Sequence, residues 1–417
     1  MHILRLAFPA PNLNHRTQFK LVCMVVLYQT VTSTLLFWPF TTPDSPFDRI
    51  YMQSLVDHWD TLPDLLQEQG QPRFRAKQIR KWVLQKRAVD FEAMTDLPQA
   101  LRRRLAESFQ VLPVEISRHQ QSSDGTEKLL VELPDGHHVE CVLLRDGIRR
   151  TICVSSQVGC AMGCVFCASG LDGVERNLTQ GEIVGQMLLL QRLLPEDERL
   201  SHIVMMGMGE PLANLNQVLA ALEIACDAEG LGISPRRITI STVGLPPAID
   251  RLAKLNSRFN LAISLHAPND ELRNRLVPVN HRVGISDLMA AADRYFEVSG
   301  RRLTFEYVLL ANLNDSPEHA HQLAGLLKGR CQLLNVIPYN PVEGLPYQTP
   351  SPRAITEFRE ILMAAGIEIR FRQRKGDGIN AACGQLRRIE TSGSKNDSLI
   401  SLEGAIPGKG SSGDAQA

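Results

Sequence analysis

The chain lacks net charge and has few cysteines, and both shortages limit what it can be. Its 45 lysines and arginines balance its 45 aspartates and glutamates, so overall charge gives no argument for or against a nucleic-acid partner. Nine unevenly spaced cysteines are too few for a disulfide scaffold in 417 residues. That length exceeds one average domain and predicts a large domain with a smaller one.

The two ends of the chain differ in composition from the rest. Residues 21–40 are uncharged and long enough to consider as a membrane span, but Gln, Ser and Thr dilute the stretch and no small-residue cleavage site follows. We interpret residues 1–50 as an atypical extension with a non-native start, the functional chain beginning near Met52, and expect no stable membrane partner. A membrane anchor is the alternative. Residues 391–417 are rich in Ser, Gly, Asp and Lys, which predicts a disordered tail.

A basic segment follows the extension. Between residues 62 and 110, apolar residues recur at spacings of three and four, as in amphipathic helices. Residues 73–87 contain seven cations and no acid, and Ile79, Trp82 and Val83 fall on one helical face. The cations are therefore left on the other faces, where they form either a solvated surface or a phosphate-binding one. We assign residues 51–125 to a small helical accessory domain.

From Lys128 onward, β-rich runs alternate with amphipathic helical runs. The predicted strands are 151–155, 202–206, 237–241, 260–266, 303–310, 332–339 and 368–372. The predicted helices are 180–194, 215–228, 285–299, 316–327 and 352–365. This alternation is typical of an α/β fold with parallel strands and right-handed crossovers. Six or seven such units predict an open or incomplete barrel over residues 126–390, with reactive groups at the strand C-termini.

Three cysteines converge in one short segment after the first of these strands: Cys160, Cys164 and Cys167. A 4Fe-4S cluster normally takes four thiolates, and no fourth cysteine follows nearby. Such a cluster leaves one iron open to an outside ligand, as catalytic metal sites do. A zinc site, which usually requires a fourth Cys or His, and three buried structural thiols are the alternatives. An oxygen-sensitive cluster and free thiols both indicate a reducing cytoplasm.

Other distinctive segments also follow predicted strands, at residues 207–212, 241–244, 264–266 and 337–341. An open iron can bind the amino and carboxylate groups of S-adenosylmethionine, and one electron delivered to its sulfonium yields a radical that removes unactivated hydrogens. The glycines of 206–211 would let backbone approach such a ligand, and Glu210 would accept from its ammonium group. A strand-end turn that needs small residues is the alternative for this segment.

Together these motifs resemble the RlmN/Cfr family of radical S-adenosylmethionine RNA adenine methyltransferases, most closely its RlmN branch. The resemblance rests on CVSSQVGC at 153–160, the CxxxCxxC run, MGMGEP at 206–211, SLHAPND at 264–270, NVIPYNP at 335–341 and AACGQL at 381–386. It implies an incomplete (βα)6-type barrel with a helical, RNA-binding N-terminal domain. It also implies a 4Fe-4S cluster and S-adenosylmethionine as cofactors.

The resemblance implies roles for individual residues. The cluster ligands are Cys160, Cys164 and Cys167. The positions that hold S-adenosylmethionine are Gly209, Glu210, Ser241, Ser264, Leu265, His266 and Asn340. Cys383 corresponds to the cysteine that becomes S-methylated, Cys153 to the thiol that pairs with it transiently, and Glu140 to the proton acceptor. By itself, Glu140 would read as a solvated residue on an edge-like strand. The cysteines that match no motif are interpreted as structural: Cys23, Cys141, Cys226 and Cys331.

The implied chemistry follows from the substrate atom. Carbon 2 of adenine is electron-poor and does not attack a methyl sulfonium, so the resemblance implies a detour that uses two S-adenosylmethionine molecules. One methylates Cys383, and the other provides the radical that activates this methyl group for addition to the ring. A base then removes the ring proton, and Cys153 releases the product as a disulfide.

We therefore expect a monomer that methylates C2 of adenosine in 23S rRNA and in tRNA, with an external electron donor and a thiol reductant as further partners. Cfr-like methylation at C8 of the rRNA base is the alternative within the same chemistry. A non-catalytic zinc or electron-transfer protein that binds RNA is the alternative from a different class.

Overall fold

The computed structural model describes residues 52–386, apart from 256, 331–332 and 373–374. The interpretations of residues 1–50, of the tail 391–417, and of Cys23 and Cys331 lie outside this range. Within the described part of the chain, no helix combines the length and the apolar character needed to cross a membrane.

Three short helices form the N-terminal region: α1 Leu62–Glu68, α2 Arg75–Leu84 and α3 Gln99–Ser108. Ile79 and Val83 of α2 are fully buried, as the apolar spacing predicts, and Trp82 packs partly buried beside them. Strands β1 Gln53–Ser54 and β2 Phe109–Gln110 pair in parallel and bring the two ends of this region together.

Most of the remaining chain is organised around a sheet of ten strands. Its seven parallel strands are β6 Arg149–Cys153, β9 His202–Met205, β10 Ile238–Thr242, β11 Asn260–Ser264, β12 Leu303–Leu309, β13 Leu334–Pro338 and β14 Ile369–Phe371. They lie side by side in chain order. The prediction of an open barrel of parallel strands is therefore confirmed.

Helices cross between these strands. They are α4 Gln180–Arg192, α5 Leu215–Cys226, α6 Pro246–Lys254, α7 Asp270–Leu276, α8 Ile285–Ser299, α9 Pro317–Leu327 and α10 Pro352–Ala364. The sequence did not predict α6 and α7, because two prolines open the first and charged residues dominate the second. A separate two-stranded ribbon, β7 Gln157–Gly159 with β8 Val174–Asn177, carries the three-cysteine segment between its strands.

Three antiparallel strands extend the sheet beyond β6: β3 Glu115–Gln121, β4 Glu127–Glu132 and β5 His138–Asp146. They require two corrections. The predicted boundary at 125/126 falls inside the β3–β4 hairpin, because β3 is a polar strand at the margin of the sheet whose sequence gives no apolar signal. Glu140 is not on an edge-like strand, since β5 lies between β4 and β6 and the Glu140 side chain is buried.

Candidate active site

A cavity of about 150 Å³ opens at the carboxyl ends of the parallel strands. Predicted site residues that line it are Cys160, Cys164, Cys167, Gly209, Glu210, Ser241, Ser264, His266 and Cys383. These residues come from the cysteine segment and from the ends of several different strands, as expected of a shared site in a barrel. Leu265 is fully buried and does not line the cavity.

The three cysteines of the segment are buried enough to disfavour their charged forms. Burial raises the pKa of Cys164 and Cys167, and it raises the pKa of Cys160 to about 12. As free thiols they would be protonated at neutral pH, so a bound metal group is needed to stabilise three thiolates here. The donor set therefore suits a cluster that binds through cysteine sulfur.

The number of thiols bears on the zinc alternative. Structural zinc sites usually take a fourth Cys or His, whereas this segment supplies three cysteines. A 4Fe-4S cluster held by three cysteines keeps one iron open to a further ligand. The donor set therefore suits a cluster better than a structural zinc ion.

The glycines of the segment after β9 pack closely against a neighbouring segment and also line the cavity. A Cβ on Gly207 would lie 2.6 Å from Oγ of Ser155, and one on Gly209 would lie 2.8 Å from the backbone nitrogen of Gln157. Gly209 also has a φ of +100°. Both glycines therefore permit close packing against the start of β7, and the cavity meets their backbone.

Glu210 is a buried carboxylate held by backbone. It accepts hydrogen bonds from the N–H of Leu212 at 3.0 Å and of Val243 at 2.8 Å. Burial outweighs these bonds and raises the pKa of Glu210 to about 7. A cationic ligand group beside this carboxylate would favour its ionised form. The site therefore fits the ammonium of an amino acid such as the methionine part of S-adenosylmethionine.

His266 is neutral and conformationally constrained. Its φ is +59°, which is unusual for a residue other than glycine. Burial, reinforced by Arg273, lowers the pKa of His266 to about 3. Nδ1 accepts from the N–H of Val308 at 3.0 Å, so the neutral ring carries its proton on Nε2. His266 can therefore act only as a hydrogen-bond donor through this second nitrogen.

A buried arginine that the sequence did not identify organises the same rim. Arg273 of α7 has no exposed surface, and it donates to the carbonyls of Val243, Ser264 and Leu265 and to Oδ1 of Asn280. It thereby ties the end of β11 to the turn after β10. A single charged residue in a short polar helix carries no sequence signal for such a role.

A second cavity, of about 330 Å³, adjoins the first. Met206, Ile337 and Cys383 line both cavities, and Cys153 and Asn340 line only the larger one. Burial, with a contribution from nearby Cys383, raises the pKa of Cys153 to about 12. Both thiols are free. The structure thus brings the two predicted catalytic cysteines together, with Cys383 facing the cofactor cavity as well.

Arg372 places a positive charge between these cavities. Its guanidinium lies 3.6 Å from Sγ of Cys383 and 3.8 Å from a carboxylate oxygen of Glu306. Glu306 chiefly, and Cys383 in addition, raise the pKa of Arg372. Glu306 is itself buried and accepts from Asn335 at 2.7 Å. The sequence did not identify this pair: Glu306 lies in the middle of β12, and Arg372 directly follows β14.

Backbone contacts fix the loop that bears Cys383. The N–H of Ala168, directly after the last cluster cysteine, donates to the carbonyl of Gly384 at 2.8 Å. Ser169 Oγ donates to the carbonyl of Leu386 at 2.6 Å. Asn340 donates to the carbonyl of Cys383 at 3.3 Å, and its buried Oδ1 has no hydrogen-bond partner among the described residues. That oxygen remains available to a donor on a ligand.

Glu140 lines neither cavity. Its carboxylate is paired with Lys128 of β4, with an Oε1–Nζ distance of 2.7 Å. It lies on the same face of β5 as Val142 and Leu144, which do line the larger cavity. The alternative that Glu140 is simply solvated is therefore wrong.

The basic segment 73–87 is less free than the sequence suggests. Arg80 pairs with Asp227 at 3.0 Å, and Arg87 donates to three carbonyls between residues 194 and 198. Both therefore fasten the helical region to the barrel. Lys77, Lys81 and Lys86 are exposed, so the predicted cationic surface is real but smaller.

Comparisons with known proteins agree with this geometry. Residues 154–324 match the model of the Radical SAM superfamily, and residues 58–111 match that of the ribosomal RNA large subunit methyltransferase N-terminal domain. A "Probable dual-specificity RNA methyltransferase RlmN" of Rhodopirellula baltica is 68% identical over 329 residues, 79% of this chain and 89% of that protein. The "Dual-specificity RNA methyltransferase RlmN" of Marinobacter nauticus is 42% identical over 345 residues, 81% of this chain and 93% of that protein.

A solved structure extends the agreement to three dimensions. The crystal structure of a radical SAM methyltransferase from Sphaerobacter thermophilus superposes with a TM-score of 0.78 and 47% identity, covering 80% of this chain and 99% of that one. Radical SAM proteins use a 4Fe-4S cluster with S-adenosylmethionine, which the donor set of the smaller cavity fits. On the length and level of these matches, the chain belongs to the RlmN family of radical SAM methyltransferases.

Proposed function

We propose that this protein is a dual-specificity RNA methyltransferase that modifies C2 of adenosine in 23S rRNA and in tRNA. The proposal includes an S-methylated Cys383 intermediate and two S-adenosylmethionine molecules per turnover. Its single strongest support is the position of Cys383, which lines both the cofactor cavity and the larger cavity. A residue in that position can receive a methyl group on one side and present it to a base on the other.

The chain's own residues divide the work of the reaction. The cluster and S-adenosylmethionine, when bound, supply the methyl group and the radical. Cys383 carries the methyl group and becomes the covalent link to the base. Glu140 accepts the ring proton. An external one-electron carrier takes the unpaired electron of the adduct. The Cys153 thiolate then attacks the sulfur of Cys383, so that the S–CH2 bond breaks and the carbon keeps its electron pair and takes a proton to become the product methyl group. An external thiol reduces the resulting disulfide before the next turnover.

The larger cavity has the character expected of a base-binding site. Apolar side chains such as Val142, Leu144 and Ile337 form much of its lining, and polar groups occur at a few points. Its volume of about 330 Å³ is of the order of a flat heteroaromatic ring with its linker. RNA phosphates would bind elsewhere, and the exposed lysines of α2 are the proposed contacts within the N-terminal domain.

Methylation at C8 is the alternative that the shared motifs leave open. The experiment that separates the two is mass spectrometry of nucleosides from 23S rRNA and tRNA modified by the purified, cluster-loaded protein. We expect 2-methyladenosine in both RNAs, and 8-methyladenosine in rRNA would instead support the alternative. If the protein, reconstituted anaerobically with iron and sulfide, does not cleave S-adenosylmethionine, the enzymatic proposal is wrong altogether. We further propose a cytoplasmic monomer with an external electron donor.

A further inference from the structure

Lys128 and Glu140 form an ion pair that is almost completely removed from solvent. Their side chains are 7% and 2% exposed, and Nζ lies 2.7 Å from Oε1. The two residues lie on neighbouring antiparallel strands, Lys128 opposite Val142 and Glu140 opposite Leu130. The burial of this pair needs an explanation, because removing two charges from water costs several kcal/mol per ion before their attraction is counted.

Stability alone does not explain this pair. Replacing a buried ion pair by apolar residues of similar volume is often neutral or stabilising, whereas removing one partner is strongly destabilising. Apolar residues adjoin the pair on the same face of the sheet, where Leu130 and Val142 are both buried. An apolar pair would therefore continue the core. The charged pair indicates a use for the carboxylate in its ionised form.

A second contact connects Lys128 to the loop that carries Cys383. Its Nζ donates to the carbonyl of Asn380 at 3.2 Å. Asn380 lies three residues before Cys383 and has a left-handed φ of +50°. One ammonium group therefore binds both the side chain assigned as base and the backbone of the loop that bears the methyl carrier. Asp124 reinforces this loop by accepting from the N–H of Gly376 at 2.9 Å.

We propose that Lys128 is a positioning residue for proton removal: it holds Glu140 ionised and fixes its carboxylate relative to the Cys383 loop. The inference rests on the proposed function. In the proton-removal step, the Glu140 carboxylate accepts the proton of the ring carbon. The electron pair of that C–H bond stays with the adenine ring. Lys128 takes no part in the transfer itself. Its charge stabilises the carboxylate before the transfer and favours loss of the accepted proton afterwards.

The test measures separate steps with the cluster-loaded protein. Lys128→Met should still form S-methyl-Cys383 without RNA, detected by peptide mass spectrometry. With RNA it should accumulate a covalent enzyme–RNA adduct, visible on a denaturing gel. Release of methylated RNA should slow by about 10- to 100-fold, the range seen when residues that orient metal ligands are replaced. Lys128→Arg, which keeps the charge and the donors, should recover most of the rate.

A double-mutant comparison distinguishes positioning from general support of the fold. Glu140→Gln should itself slow product release, and adding Lys128→Met should cause no further loss, because the partner is already absent. This double variant also buries no unpaired charge, so it decides the question if Lys128→Met alone does not fold. Additive losses, or equal slowing of Cys383 methylation and of product release, would overturn the proposal.

Failure of the proposed methyltransferase mechanism would give a different result in this assay from failure of the role of Lys128. Cys153→Ala serves as the reference in the same assay, because it blocks resolution of the adduct directly. If Cys153→Ala accumulates adduct but Lys128→Met behaves like the unmodified protein, only the role of Lys128 is wrong. If Cys153→Ala gives no adduct, the proposed covalent route itself is wrong.

Discussion

The two cavities are built in different ways from different parts of the sheet. At the parallel strand ends, the backbone holds the charged groups: Glu210 accepts from two N–H groups, and Arg273 donates to three carbonyls. Around the larger cavity, side chains hold one another: Lys128 pairs with Glu140 on the antiparallel strands, and Arg372, which lines this cavity, pairs with Glu306 of β12. The first arrangement depends on the path of the chain, and the second depends on the identity of each residue.

This difference suggests a division of labour. A cavity held by backbone can persist while the residues around it change, which suits a cofactor used by many proteins of the superfamily. A cavity held by side-chain pairs can be altered by single substitutions, which suits the step that is particular to one substrate. The comparison predicts losses of different kinds on the two sides.

The largest effect should come from the cluster segment. Replacing Cys160, Cys164 or Cys167 singly with Ala should abolish both cluster binding and turnover, because none of the three thiolates is redundant. Iron content and the visible absorption of the reconstituted protein measure the first, and methylated RNA the second. A single variant that keeps a full complement of iron and its activity would contradict the assignment.

Replacing the two cysteines of the larger cavity should impair RNA methylation and leave cluster binding intact. Cys383→Ala should bind the cluster normally and give no methylated RNA, because it removes the thiol that we propose as the methyl carrier. Cys153→Ala should instead accumulate enzyme covalently bound to RNA, since the link forms but is not resolved. Identical behaviour of the two variants, without any crosslinked species, would show that the two-cysteine route is mistaken.

A smaller effect, on stability, tests whether backbone hydrogen bonds hold the charged groups beside the smaller cavity. Arg273→Met should lower the free energy of unfolding by about 3 kcal/mol, because it leaves several buried carbonyls without donors. Arg294→Met is the matched control, since Arg294 forms a surface pair with Asp250 at 2.9 Å. The control should lose little stability, because exposed ion pairs contribute little to folding. Denaturant unfolding measures both, and equal losses would refute the special role of Arg273.

The smallest effect should come from the N-terminal helix. Lys77→Gln with Lys81→Gln should weaken RNA binding and reduce the slope of log affinity against log salt by about one unit per lost phosphate contact. Lys254→Gln with Lys328→Gln serves as the control, since it removes two exposed lysines at the ends of α6 and α9. Methylation of Cys383 without RNA should survive in both. An unchanged salt slope in the first pair would make α2 an ordinary solvated surface.

The sequence predicts an element reliably where its pattern is local. Helix α8 has the predicted bounds, and the parallel strands agree within a few residues, because each is a short apolar run between turns. Strand β3 was missed, since its residues are polar and half-exposed on both faces. The solvated alternative for Glu140 failed because the neighbours of β5 are set by pairing across the sheet.

The site shows the same limit. The predicted residues of the smaller cavity belong to motifs that can be read along the chain. Lys128 and Arg372 do not, because their contacts join distant segments: Lys128 meets Asn380 across 252 residues, and Arg372 meets Met206 across 166. A lone Lys or Arg in a strand reads as exposed unless its partner is known. No sequence-local pattern specifies such partners.

The order of the parallel strands has a consequence for biosynthesis. Because β6 and β9 to β14 lie in the sheet in the order in which they are translated, each new strand can pair with the one before it. Ser169, just after the cluster cysteines, bonds to Leu386, which emerges from the ribosome 217 residues later. The three thiols of the cysteine segment are therefore made well before the sheet is complete. The contacts of the loop that bears Cys383 form only when synthesis of the domain is nearly finished.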